Sequence, residues 1–113
     1  LSAYGNRCCI TGLSVPRLLI ASHIVPWSKD KKNRLNPSNG LALSMLHDKA
    51  FDIGLITIDE DRAVQVSQQD WNEDDMYLKT ALLSFHGQQI QMPDKFVPSA
   101  EFLEYHRENI YIG

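Results

Sequence analysis

The sequence predicts an α+β fold in which strands pair with their neighbours along the chain. Its apolar segments are only three to seven residues long and are separated by turn residues instead of long crossover helices. Helical segments with capping residues follow some of these strands. The chain has 113 residues, 43% of them hydrophobic and 22% charged, which is typical of one small globular domain. No apolar run approaches the roughly 18 residues of a membrane span, so no membrane partner is expected.

The first half of the chain predicts two strands. Residues 18–24 form an apolar run typical of a buried strand, and Pro26 ends it because proline cannot donate to a ladder. Residues 36–40 are dense in turn-forming types, and residues 41–43 form a second short strand.

A helix and a hairpin are predicted next. Ser44 suits the N-cap of a helix that runs through Phe51, and Gly54 suits its C-terminal end. A charged turn then joins two strand-like segments, 55–58 and 63–66, which predicts a β-hairpin.

Two further helices are predicted toward the C-terminus. Acidic residues at 73–75 precede an amphipathic segment at 76–85. Their negative charges are favourable there, because the N-terminus of a helix is the positive end of its dipole. The last helix begins near Pro98 and continues through His106.

The cysteines restrict both the redox compartment and the metal chemistry. Cys8 and Cys9 are adjacent and are the only two in the chain, so a disulfide framework is excluded. This usage favours a reducing compartment, and we expect a cytoplasmic location. A four-cysteine zinc site is also excluded, which disfavours a zinc-stabilised structural module.

Charge is distributed unevenly. Residues 1–50 contain seven basic and two acidic residues, whereas residues 51–113 contain four basic and twelve acidic ones. The halves therefore carry net charges of +5 and −8, which favours one surface for a polyanion. The alternative is that both halves have ordinary solvated faces.

Three polar residues have a spacing that suggests a catalytic site. His23 ends the first strand, Asn39 follows 16 residues later beside the second strand, and His47 lies eight residues further on in the first helix. A strand, a strand and a helix can bring these side chains to one point, where a general base beside one divalent metal could hydrolyse a phosphodiester. Taken singly, they could instead be a packed histidine, a turn asparagine and a surface histidine.

The same region resembles the HNH endonuclease family, in particular its restriction-type bacterial subgroup. The resemblance covers residues 7–58 and is specific as a spaced set. It is carried by Arg7-Cys8, Thr11-Gly12, Ala21-Ser22-His23-Ile24, Pro26-Trp27, Asn39-Gly40-Leu41, His47 and Phe51-Asp52.

This resemblance implies a ββα-metal (His-Me finger) core at residues 7–54, with a hairpin and helical extension at 55–113. Residues 1–113 would form a single nuclease domain of a longer protein. His23 would be the general base, Asn39 would orient it, and His47 would bind the metal. The cofactor would be Mg²⁺ or Mn²⁺, with Zn²⁺ as a third candidate, and the products would carry 5′-phosphate and 3′-hydroxyl ends.

The sequence departs from the family pattern at Ser22, where many members have a metal-binding Asp or His. A hydroxyl is a weak ligand, so we expect Ser22 to contribute little and the ion to depend on water and DNA phosphate. Asp52 and Asp48 could fill the gap, although on a helix they lie about 140° and about 100° from His47. Asp52 is preferred because the chain can turn back at the helix end; the alternative is that it belongs to a structural helix stop.

A basic loop lies between the two strands. We expect Lys29, Lys31, Lys32 and Arg34 to contact DNA phosphates without reading sequence, although such a run can also be a solvated face. No recognition helix or zinc finger is visible, so a fused or associated domain would select the DNA target. The alternative function is a catalytically degenerate HNH-like domain that binds nucleic acid or a protein partner. Oligomeric state is not predicted.

Overall fold

The structure, a computed structural model, describes residues 1–26 and 35–113. Its regular elements, apart from short 3₁₀ turns, follow the predicted order and confirm the α+β class. They are β1 (Leu19–His23), β2 (Gly40–Ser44), α1 (Met45–Asp52), β3 (Ile56–Ile58), β4 (Val64–Val66), α2 (Met76–Ala81) and α3 (Ala100–Asn109). No helix in these two ranges is long and apolar enough to cross a membrane.

The first sheet is the antiparallel pair β1–β2. Its register runs from Leu19 opposite Ser44 to His23 opposite Gly40, without a bulge. Helix α1 begins directly after β2, so the strand–strand–helix order expected from the sequence is present. His23 therefore lies at the end of the hairpin that is farther from the start of α1.

Both ends of α1 are capped as the sequence predicted. The Ser44 hydroxyl accepts a hydrogen bond from the His47 backbone N–H at 3.1 Å. At the other end, Gly54 N–H donates to the Phe51 carbonyl at 3.2 Å and Leu55 N–H donates to the Ala50 carbonyl at 2.8 Å. This pair of bonds is a Schellman motif, and it requires the left-handed φ of +82° that Gly54 adopts.

A second antiparallel sheet, β3–β4, confirms the predicted hairpin and packs into the same core. The core joins both sheets to α1 and α3 through large apolar side chains with 0–1% exposure: Leu41, Leu43, Phe51, Ile56, Ile58 and Leu103. The C-terminal tail returns to α1, where the Ile112 N–H donates to the Gly54 carbonyl at 3.0 Å.

His106 is a buried member of this core, 1% exposed. Its Nε2 lies 2.8 Å from the Phe51 carbonyl and its Nδ1 lies 2.7 Å from the Thr57 hydroxyl. The imidazole also stacks on the Phe51 ring, with centroids 3.6 Å apart and planes inclined by 8°. Helix α3 is thereby attached to both α1 and β3.

Acid should destabilise the fold between about pH 6.5 and pH 4. Burial, aided by the charge of Arg107 and opposed by the bond to the Phe51 carbonyl, lowers the pKa of His106 to about 4. The unfolded chain, with a histidine pKa of about 6.5, binds protons that the folded chain does not, so the free energy of unfolding falls as pH falls through this window. Full protonation of His106 costs about 3 kcal/mol. Burial also lowers the pKa of His47, which adds to the effect.

Urea unfolding at pH 7.5, 6.0 and 4.5 measures this dependence. The His106→Gln variant is the control, and its stability should fall less between pH 7.5 and pH 4.5. If the stability of both proteins depended equally on pH, His106 would not be the source of the acid sensitivity.

Candidate active site

His23 lies where β1 ends, and its side chain is partly exposed. The residue opposite it in the register is Gly40, so no cross-strand side chain faces the imidazole directly. The Tyr4 hydroxyl donates to the Gly40 carbonyl at 3.3 Å and ties the N-terminal residues to this end of the hairpin. A cavity of about 390 Å³ opens here, with His23, Asn39 and Phe96 among its lining residues. A ligand can therefore approach the imidazole.

Asn39 holds the backbone that follows His23. Its Oδ1 accepts from the Val25 N–H at 2.8 Å, and its Nδ2 donates to the Val25 carbonyl at 3.2 Å. Its own carbonyl accepts from the Ile24 N–H at 3.1 Å. Asn39 is 0% exposed, so the three bonds are shielded from water. They fix the chain next to His23, which is the position that the orienting role predicted for Asn39 would require.

Asp52 occupies the last position of α1, and its side chain is exposed. Partial burial raises the pKa of its carboxyl group above the ordinary value, and the negative charge of Asp48 adds to this rise. The positive charges of Lys49 and of protonated His23 act in the opposite direction. The end of β1 and the last turn of α1 therefore bring an imidazole and a carboxylate into one electrostatic environment.

Asp48 lies on the same face of α1 as Asp52. Residues four apart on a helix differ by about 40° around the axis, so the two carboxylates are neighbours one turn apart. The angle between Asp48 and Asp52, and not their angles from His47, therefore determines that they share a face. Their i, i+4 spacing was the sequence pattern that could have identified this pair.

His47 lies on another side of α1, with 3% exposure. Its Nε2 is 2.7 Å from the Ala81 carbonyl at the end of α2, so Nε2 carries the proton. Its Nδ1 is 2.5 Å from the Ser44 hydroxyl, which must then donate to it. The Phe85 ring approaches edge-on, with a centroid distance of 6.1 Å. The alternative that His47 is a surface histidine is therefore wrong, because the side chain is buried and hydrogen-bonded at both nitrogens.

Ser22 faces away from His23, because consecutive residues of the regular strand β1 point to opposite faces. It is 3% exposed, and its hydroxyl has no hydrogen-bond partner within residues 1–26 and 35–113. Of the three predicted metal ligands, Ser22 and His47 are buried, whereas Asp52 is exposed.

The side chains near His23 suit Mg²⁺ better than Zn²⁺. Within the described part of the chain, no three His, Cys, Asp or Glu side chains are close enough to hold an ion by themselves. A tetrahedral zinc site needs at least three such ligands. Mg²⁺ needs only one or two carboxylates, with water and phosphate oxygens completing its shell, and Asp48 and Asp52 can supply these.

The predicted phosphate contacts Lys29, Lys31, Lys32 and Arg34 lie outside the described residues. Cys8 and Cys9 are free thiols buried in the core, and burial raises the pKa of Cys9, so neither side chain is placed for metal binding or nucleophilic chemistry.

Comparison with known proteins points to one family. Residues 8–59, which contain His23, Asn39, His47 and Asp52, match the HNH endonuclease family. No curated protein matches the chain. Among solved structures, a modification-dependent restriction endonuclease, TagI, superposes with a TM-score of 0.66 at 19% identity, over 96% of this chain. The chain spans 35% of the length of TagI, and at this identity the likeness establishes a shared fold. Residues 8–59 of this chain are therefore similar to the HNH endonuclease family, and the chain shares its fold with a restriction endonuclease.

Proposed function

We propose that this domain hydrolyses phosphodiester bonds in DNA, with His23 as the general base and one divalent cation as cofactor. The observation that carries the proposal is the position of His23 at the end of β1, where it lines a cavity of about 390 Å³ and the backbone after it is held by the hydrogen bonds of Asn39. The family match over the same segment supports it. We further propose that residues 1–113 are a single nuclease domain of a longer protein, with residues 7–54 as its catalytic core.

In this proposal His23 removes a proton from a water molecule, and the resulting hydroxide attacks phosphorus in line with the leaving 3′-oxygen. An unperturbed imidazole has a pKa of about 6.5, so a neutral base is available near pH 7. Asn39 keeps the strand end in one conformation through its bonds to Val25, which reduces the motion of the imidazole. Breaking the bond to the 3′-oxygen leaves a 5′-phosphate on one fragment and a 3′-hydroxyl on the other.

We propose Asp52, assisted by Asp48, as the protein ligands of the cation. A bound Mg²⁺ or Mn²⁺ would stabilise negative charge on the phosphate and on the leaving oxygen. The negative charges of the two carboxylates reinforce each other, which favours a cation between them and the DNA. His47 could become a ligand of the cation only after breaking its bond to Ala81 or to Ser44. Ser22 could become a ligand only after β1 changed its twist.

We propose DNA as the substrate, with Lys29, Lys31, Lys32 and Arg34 as salt-sensitive phosphate contacts. The basic first half of the chain, which also contains His23 and Asn39, is the support for this assignment. Because TagI is about three times as long as this chain, we propose that a fused or associated domain selects the target. The buried, free cysteines agree with the proposed cytoplasmic location.

A second candidate function is DNA or protein binding without cleavage. It is favoured by the absence of a three-ligand metal group within residues 1–26 and 35–113, and by the hydrogen bonds that occupy both nitrogens of His47. Cleavage assays distinguish the two functions directly.

Supercoiled plasmid should be nicked in the presence of Mg²⁺ or Mn²⁺, and EDTA should stop the reaction. Replacing Asp52 with asparagine should weaken Mn²⁺ binding by about 10-fold or more, because an amide oxygen carries no net charge. Isothermal titration gives the affinity and the nicking rate gives the activity. Glu104→Gln, the same type of change at an exposed position on α3, is the matched control.

Three outcomes would change the proposal. Nicking that continues in EDTA would remove the metal from it. Unchanged Mn²⁺ affinity in Asp52→Asn, with a loss in His47→Ala beyond its effect on folding, would transfer the ligand role to His47. DNA binding without nicking under any metal would support the second candidate function.

A further inference from the structure

The last turn of α1, which carries Asp52, is held by residues from the other end of the chain. Phe51 directly precedes Asp52, and its carbonyl, which accepts from the Gly54 N–H in the Schellman motif, has a further partner outside the helix. That carbonyl lies 2.8 Å from Nε2 of His106 on α3. Two residues after Asp52, the Gly54 carbonyl accepts from the Ile112 N–H at 3.0 Å. Contacts from α3 and the C-terminal tail thus hold the chain on both sides of Asp52.

The protonation state of His106 follows from its partners. A carbonyl can only accept, so Nε2 carries the proton and donates to Phe51, and Nδ1 accepts from the Thr57 hydroxyl. This tautomer fixes the orientation of the ring. The stacking on Phe51 adds a second restraint on the same residue, because the ring planes are almost parallel.

We propose that His106 is a positioning residue for the nuclease site, which fixes the last turn of α1 and thereby the position of Asp52. This inference rests on the proposed function and extends it beyond the family-matched segment, which ends at residue 59. It predicts that α3 contributes to the geometry of the site and not only to the stability of the fold. Outer contacts that orient a metal ligand typically change metal affinity by 10- to 100-fold when they are removed.

Three variants separate positioning from packing. His106→Phe keeps an aromatic ring against Phe51 but removes the donor to its carbonyl. His106→Gln restores an N–H donor without the ring. Arg107→Ala is the matched control, since Arg107 also attaches α3 to the domain, through a 2.9 Å bond to the Ile58 carbonyl on β3.

Mn²⁺ affinity and the nicking rate at saturating Mn²⁺ are measured where each variant is fully folded. We expect His106→Phe to weaken Mn²⁺ binding about tenfold and to slow nicking. His106→Gln should recover part of both losses, and Arg107→Ala should lower the melting temperature without changing either quantity.

A purely structural role would lower the melting temperature of His106→Phe without changing its Mn²⁺ affinity, and this result would overturn the inference. The Asp52→Asn variant separates this failure from a failure of the proposed function. If Asp52→Asn weakens Mn²⁺ binding and His106→Phe does not, only the inference is wrong. If Asp52→Asn binds Mn²⁺ as the wild type does, the ligand assignment is wrong and the inference fails with it.

Discussion

Replacing His23 with alanine should lower the rate of DNA cleavage by at least about 100-fold, the usual contribution of a general base. The domain should remain folded, since the side chain lies at the end of β1, is partly exposed and is not part of the apolar core. Mn²⁺ affinity should change little, because the proposed ligands are on α1. Single-turnover nicking of plasmid DNA at saturating Mn²⁺ gives the rate, and thermal unfolding verifies the fold.

His86→Asn serves as the control for this prediction. His86 is also exposed, and its Nδ1 accepts a hydrogen bond from the Val66 N–H at 3.0 Å, which an asparagine oxygen can also do. The control should cleave at the wild-type rate. A His23→Ala protein that cleaves as fast as the wild type would remove His23 from the mechanism.

Replacing Gly54 with alanine should destabilise the domain by about 3 kcal/mol or more. The left-handed φ of +82° alone costs an alanine about 1–2 kcal/mol. A Cβ atom at this position would also lie 2.0 Å from the Ile110 carbonyl oxygen, so the C-terminal tail would have to move. Overpacking of this kind adds about 1–3 kcal/mol. A domain of this size has only about 5–15 kcal/mol of stability, so the loss should be large in urea unfolding.

Gly87→Ala is a matched control, because Gly87 has the same φ of +82° and nothing lies within 4 Å of its added Cβ. It should show the cost of the backbone conformation alone, about 1–2 kcal/mol. Equal losses in the two variants would mean that the contact between the tail and Gly54 is not as close as the structure describes.

Most of the fold could be predicted from local sequence patterns. The cap at Ser44, the left-handed glycine at Gly54 and the hairpin of β3 and β4 each depend on residues close together in the chain. The second predicted helix was less accurate: α2 ends at Ala81 and a short 3₁₀ segment, Leu83–Phe85, follows it. Amphipathic spacing alone does not mark where the chain leaves the α-helix, because that depends on contacts from other parts of the domain.

In the candidate site, too, residues with local partners could be placed from the sequence, whereas residues with distant partners could not. Asn39 could be placed from sequence because its partner is the neighbouring strand end, within one hairpin. The roles of His47 and His106 could not, because each makes one of its bonds to a residue more than 30 positions away, Ala81 for His47 and Phe51 for His106. Burial beside those partners, and not the spacing along the chain, determines what each imidazole can contact.

The sequence by itself determined the α+β class, the order of strands and helices, and the positions of His23 and Asn39 at the ends of a hairpin, because caps, turns and strand alternation are local properties. Only the tertiary structure decided which face of α1 is buried and which stays accessible. Ala50 and Phe51 are buried in the core, and His47 is buried against the Ala81 carbonyl. The face of α1 that carries Asp48 and Asp52 is therefore the one available to the proposed site. The orientation of a helix depends on which of its side chains the rest of the domain buries, and that is settled by packing between distant segments.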